Sequence, residues 1–212
     1  MKHRPDYSQL FHIHDRDGGQ GRLLSIVSPD RLRRVLRWLL DETEFLSPHG
    51  VRALSAAHRD HPFSVDLGGM TYTVDYTPGD ATSGLFGGNS NWRGPVWFPV
   101  NYIVIEGIRR FARFFGDDFA VEYPTGSGVE LTLGQVADAL DTRLIEIFLR
   151  DEDGRRAVFG NDNKFQSDPV WNGLIPFHEY FHGDTGQGLG ASHQTGWTGL
   201  VADLIIRRGQ SR

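Results

Sequence analysis

The chain has 212 residues, 39% hydrophobic and 12% aromatic, which is enough apolar material for one folded domain and too much for a disordered one. A formal charge of -5 excludes the broad basic footprint of a nucleic-acid binder, and the arginines between Arg31 and Arg37 read as the solvated face of a helix. With no cysteine there is no disulfide, thiolate metal site or thiol nucleophile, and no apolar run reaches the roughly 18 to 20 residues of a membrane span, so a soluble cytoplasmic chain is the expectation.

Residues 1–27 are mixed in character, with Asp15, Asp17 and Gly18-Gly19 breaking any periodicity, and read as an irregular segment. Ser28 then caps a helix with Pro29 at its first position, and Leu32, Val35, Leu36, Leu39 and Leu40 recur at helical spacing until Ser47-Pro48. Phe63, Val65 and Leu67, then Gly68-Gly69, then Tyr72, Val74 and Tyr76 are two alternating runs around a turn, the pattern of a β-hairpin. Glycine, serine, threonine and asparagine dominate from Thr77 to Asn91, a long loop of the kind that carries function.

Pro95 suits a helix start, and the dense apolar run from Val96 to Phe115 predicts a helix buried on most sides, ended by Gly116. Thr132-x-x-Gln135 is a capping box, followed by a stripe of Val136, Leu140, Leu144, Ile147 and Phe148. A further helix is expected from near Pro169 toward His182, interrupted by Gly173 and Pro176, and a last one from Thr195 to Arg207. About five helices and one hairpin, with no strand-helix alternation, predict a helical scaffold whose long loops build a site on one rim.

Two chemistries compete for residues 176–186. His178-Glu179-Tyr180-Phe181-His182 spells H-E-x-x-H, in which a helix would present two imidazoles to zinc and the glutamate would deprotonate the metal-bound water. Thr185 stands where the longer zinc-protease motif has glycine, and Pro176 and Gly183 leave little regular helix, so no metal or cofactor is expected and the two histidines read as hydrogen-bonding supports.

More of the chain is explained by a second pattern. Asn91-Trp92-Arg93-Gly94-Pro95-Val96-Trp97 with Asn101-Tyr102, then Phe165-Gln166-x-Asp168-Pro169-x-Trp171, then the segment from Phe177 to Leu200 resemble the C-terminal part of the catalytic domain of glycoside hydrolase family 63, which includes processing α-glucosidases and mannosylglycerate hydrolase-like enzymes. The likeness runs from about Gly21 to Ile206. It implies an all-α fold, the C-terminal half of an (α/α)6 barrel carrying the hairpin as an insertion. The boundaries are then 1–27 for the irregular segment, 28–207 for the glycosidase part and 208–212 for a tail.

The resemblance also implies inverting hydrolysis of an α-linked terminal sugar, glucosyl or mannosyl, with an oligosaccharide or small α-glycoside as partner. An inverting enzyme needs one carboxylate to activate water and a carboxylic acid to protonate the leaving oxygen. Glu179 matches the family's base. Indoles offer sugar rings an apolar surface and Arg and amide groups satisfy hydroxyls, so Trp92, Arg93, Gln194 and Trp197 are expected to line the pocket, with Trp97, Asn101 and His193 as further candidates. Trp97, Phe98 and Tyr102 also fit a core role by their helical spacing.

No segment matches the family's general acid; Asp15 and Asp17 stand too near the N-terminus and lack its surroundings. The expectation is therefore a base-carrying portion of an enzyme, a fragment that self-associates through exposed barrel helices. A carbohydrate-binding or interaction module without catalysis is the alternative from another class.

Overall fold

The computed structural model describes residues 5–16, 19–84, 90–193 and 195–210. It corrects the all-α expectation. Among the described residues, ten short strands form five separate two-stranded antiparallel pairs beside six α-helical segments, a mixed architecture and not a partial (α/α)6 barrel. The physical reason is length: strands of two or three residues carry too little alternation to register as a period in sequence, and several lie inside stretches whose glycines read as loop.

The first pair, β1 (Phe11–Arg16) with β2 (Gly19–Leu24), occupies the segment expected to be irregular. Helix α1 (Pro29–Leu39) follows, with the Ser28 hydroxyl accepting from the Arg31 amide, and buries Leu32 and Leu36 while leaving Val35 and Trp38 exposed. The pair β3 (Leu46–Ser47) and β4 (Gly50–Val51) leads to the hairpin β5 (Phe63–Leu67) and β6 (Met70–Val74), where Gly68 and Gly69 make the turn as expected.

Helix α2 (Phe98–Phe115) buries one stripe, Phe98, Asn101, Ile105 and Ile108, at spacings of three and four. Phe114 is buried as well, and Tyr102, Val104, Phe111, Ala112 and Phe115 pack partly buried against the core, while Val100 and Ile103 lie on an exposed strip. After β7 (Ala120–Glu122) and β8 (Glu130–Thr132), helix α3 (Leu133–Glu146) begins at the expected capping box, in which the Thr132 hydroxyl accepts from the Gln135 amide and the Gln135 side chain accepts from the Thr132 amide. Such a cap stabilises by about 1 kcal/mol. Helix α3 packs along α2, where Arg109 pairs with Asp138 at 2.8 Å and with the fully buried Asp141.

The helix expected between Pro169 and His182 does not form. A five-residue helix, α4 (Asn163–Ser167), precedes it, capped by Asp162, and the Asp168 carboxylate then accepts from the amides of Val170 and Trp171, turning the chain before Gly173 and Pro176. Beyond that turn lies the short pair β9 (Tyr180–Phe181) and β10 (Gly188–Leu189). Helices α5 (Thr195–Thr198) and α6 (Leu200–Gln210) close the described chain, and α6 packs on α2 and α3 through Val201 and Leu204. The core lies between α1, α2, α3 and α6, with Val96, Phe159 and Phe181 entering from the connecting segments. No described helix is long and apolar enough to cross a membrane.

Candidate active site

A narrow ladder joins segments that lie far apart in sequence. The Val96 amide donates to the Phe181 carbonyl at 2.8 Å, and the Phe181 amide donates back at 2.9 Å. Arg52 bridges to Val96 on one side, and Phe181 pairs with Gly188 on the other. The approach needs a glycine at 183, because a Cβ there would sit 2.4 Å from the Gly94 carbonyl oxygen and 2.8 Å from the Tyr76 hydroxyl.

Charge then locks the ladder's end. The Tyr76 hydroxyl donates to Asp184 at 2.7 Å, and Arg52 and Arg59 pair with the same carboxylate at 3.3 and 2.7 Å. Burial first and then the Asp184 hydrogen bond push the Tyr76 pKa up to about 12, so the phenol stays a donor.

Glu179 immediately precedes β9, and three chain segments meet on it. Its Oε1 accepts from the Ser90 hydroxyl at 2.7 Å and its Oε2 from the Ala191 amide at 3.3 Å. Its own carbonyl accepts from the Trp197 indole at 2.8 Å, and the neighbouring His178 carbonyl accepts from the Thr198 hydroxyl, so α5 holds the backbone on which the carboxylate stands. Gly190, at φ +67°, passes so close that a Cβ would lie 2.7 Å from Glu179 Oε2.

Aromatic rings pack beside this carboxylate because successive residues of a strand point to opposite sides. Phe181 faces the core, 5.4 Å from Phe98 and 5.6 Å from Phe148. Tyr180 faces the other way and stacks on Trp97 at 4.8 Å. Trp97 in turn carries Trp92 in a parallel stack at 4.0 Å and meets the edge of Trp197 at 6.0 Å. Trp97 is 2% exposed, whereas Trp92 and Trp197 are 42% and 37% exposed. The arrangement is a carboxylate beside two part-open indoles on a buried aromatic base, with the hydrogen-bonding and apolar surfaces that a sugar requires.

The mannosylglycerate hydrolase MGH1-like glycoside hydrolase domain is the family model that matches, over residues 23–198. The chain belongs to this family. An uncharacterized protein of Saccharomyces cerevisiae is 53% identical over 195 residues, covering 91% of this chain and 18% of the relative. A probable mannosyl-oligosaccharide glucosidase of Schizosaccharomyces pombe is 23% identical over 186 residues, 86% of this chain and 16% of that protein. The mannosyl-oligosaccharide glucosidase of S. cerevisiae is 27% identical over 123 residues, 58% of this chain and 12% of that protein. The chain thus spans less than a fifth of the length of the curated relatives it matches. The resemblance to glycoside hydrolase family 63 read from the sequence is borne out.

Within this glycoside hydrolase domain, the residues singled out from sequence take different places. Trp92 and Trp197 both pack on Trp97, and the Trp197 indole ties this group to the main chain of Glu179. Arg93 is buried; it donates to Asp75 at 2.7 Å and to Thr82 at 3.0 Å, tying the loop after β6 to the tryptophan segment. Asn101 is also buried: its oxygen accepts from the Val51 amide and its nitrogen donates to the Val51 and Trp97 carbonyls, which clamps α2 to β4. His193 is exposed in the turn before α5, and Gln194 lies outside the described residues. Of the two N-terminal aspartates, Asp17 and the side chain of Asp15 lie outside them as well.

The H-E-x-x-H spelling loses its geometry here. None of residues 178–182 is helical: Tyr180 and Phe181 form β9 and Glu179 lies in a bend before it, so the two histidines are not set one turn apart on a helix face. His182 Nδ1 accepts from the amides of Asp184 and Thr185 at 3.1 and 3.3 Å. His178 packs against Gly188, and burial lowers the pKa of both rings.

Sequence reasoning missed Ser90, Tyr180, Asn91 and Gly190 as members of the cluster. Asn91 donates to the Thr77 and Gly79 carbonyls and accepts from the Arg93 amide, and its carbonyl accepts from the Trp97 indole. Tyr180 also donates to Asp80 at 3.2 Å. The available signal was position: Ser90 and Asn91 directly precede the Trp-Arg-Gly-Pro run, and Tyr180 directly follows the glutamate.

Proposed function

We propose that the chain is the base-carrying part of an inverting α-glycoside hydrolase, with Glu179 as the general base. The observation that supports this most is the seating of its carboxylate, held by the Ser90 hydroxyl and the Ala191 amide beside the part-open Trp92 and Trp197. Two donors fix the carboxylate's direction while leaving lone pairs for a water, which is the arrangement a base needs to take a proton in a defined geometry. The outer face of Trp92 then carries the sugar ring, with Trp97 and Tyr180 behind it, and Trp197 closes the side nearest the base.

The substrate class is an α-linked glucosyl or mannosyl terminus; two relatives named as glucosidases support the first and the mannosylglycerate hydrolase-like family model supports the second. The general acid belongs to a segment without a match in this chain, about 6.5–9.5 Å from Glu179 across the scissile bond. The complete enzyme, incubated with an α-glucoside and an α-mannoside and followed by proton NMR, should release the β-anomer first. Release of the α-anomer first, or hydrolysis of neither, would remove this reading.

A further inference from the structure

A concave site shares none of the residues of the Glu179 cluster, although Thr185 of the turn between β9 and β10 borders it. It is a cavity of about 600 Å³ between the end of α3, the turn after it and the region near α4, lined among others by Arg150, Arg155 and Arg156. The volume falls within the range of small-molecule pockets.

Its charge is unusual for a protein surface. Arg150 and Arg156 are direct partners across an antiparallel bridge, a position where like charges repel and cost stability. Among the described residues, none of the three guanidinium groups meets a carboxylate in an ion pair. Each donates to main-chain carbonyls instead: Arg150 to Gly154 at 2.6 Å and Asn172 at 3.2 Å, Arg155 to Gly160 at 3.0 Å, and Arg156 to Phe148.

Carbonyls satisfy donors without cancelling charge, and each planar guanidinium keeps spare N–H groups. Burial, and then the Arg150 charge, lower the pKa of Arg156. Two acids also line the cavity, Glu146 and Asp151; the amides of Asp153 and Arg155 bond Asp151 at 3.1 and 2.7 Å without cancelling its charge, so three guanidiniums stand against two carboxylates.

The frame is rigid where it matters. Gln166, 9% exposed, clamps the main chain of Arg156 from both sides: its oxygen accepts from the Arg156 amide at 3.0 Å, and its nitrogen donates to the Arg156 and Gly160 carbonyls at 2.9 Å each. This buried amide fixes the Arg156 main chain, which is bridged to that of Arg150, so one of the two like-charged neighbours stands on a held backbone.

We propose that this cavity binds a small phosphorylated molecule, with the phosphate between Arg150, Arg155 and Arg156 and its organic part in the remaining space. Three guanidiniums suit a dianion with three or more acceptor oxygens better than a single carboxylate, and planar forks bind phosphate with directional, charge-assisted bonds.

Isothermal titration of the 212-residue chain at low salt tests this with four probes: inorganic phosphate, glucose 6-phosphate, gluconate and glucose. Both phosphates should bind saturably, gluconate should bind at least about ten-fold more weakly than glucose 6-phosphate, and excess glucose should displace neither phosphate. Arg150→Gln and Arg155→Gln should each weaken phosphate binding about ten-fold or more, and Arg155→Lys should recover part of the loss. If Arg150→Gln fails to fold, Arg155→Gln carries the test, because that side chain is exposed and a matching thermal midpoint verifies the fold. Absence of saturable phosphate binding, equal binding in the arginine variants, equal affinity for gluconate, or displacement by glucose would each overturn the proposal.

Discussion

Replacing His49 by glutamine should flatten the acid side of the stability profile. Burial lowers the pKa of His49 from 6.5 to about 4, followed by the charges of Arg143, His182 and Arg52, with Asp184 opposing them. The folded value lies below the unfolded one, so between about pH 6.5 and 4 the unfolded chain binds a proton that the folded chain refuses. Stability is therefore intact above that window, falls as pH drops through it, and levels off below. A shift of this size integrates to about 3 kcal/mol over the whole window and about 2 kcal/mol between about pH 7.5 and 5. Part of the ring remains in solvent, and screening reduces the second figure to about 1–2 kcal/mol. His178 and His182, also lowered by burial, act in the same direction. Urea unfolding followed by tryptophan fluorescence at the two pH values should show a drop smaller by about 1–2 kcal/mol in His49→Gln than in the wild type. An identical drop in both proteins would refute the reasoning.

Gly190→Ala should place a methyl group 2.7 Å from Glu179 Oε2 and 2.8 Å from the Tyr180 ring, in a left-handed conformation that itself costs about 1–2 kcal/mol. The carboxylate must move, so turnover of the complete enzyme should fall at least about ten-fold while the chain still folds, and wild-type turnover would argue against a base seated by Ser90 and Ala191. Asn101→Ala removes three hydrogen bonds and leaves buried main-chain groups of Val51 and Trp97 without them. A loss of about 2–4 kcal/mol in urea unfolding is expected, and a loss below about 0.5 kcal/mol would show that the clamp between α2 and β4 contributes little.

How much of this was legible depended on how much chain each feature occupies. Helices α1 and α3 announced themselves through Ser28-Pro29 and the Thr132-Gln135 box, because caps and apolar spacing are local signals written over a dozen residues. The β5–β6 hairpin was legible for the same reason, its Gly68-Gly69 turn lying between alternating runs. The single bridge from Val96 to Phe181 was not, since it depends on two carbonyl-amide bonds between segments 85 positions apart in number, and no window sees both. That bridge decides the site: it carries Trp97 to Tyr180 and brings Ser90 within reach of Glu179. Residues 169–182 show the opposite case: a helix was expected there, and although Gly173, Pro176 and Gly183 were read as interruptions, the short β9 that replaces it is too brief to announce itself.

The central claim is that Glu179 takes a proton from the attacking water, and turnover of Glu179→Gln in the complete enzyme tests it most directly. The amide keeps the size of the side chain and its contact with the Ser90 hydroxyl but accepts no proton. A base at this position predicts a fall in kcat of at least about 10²-fold with KM little changed. Near-normal kcat would contradict it.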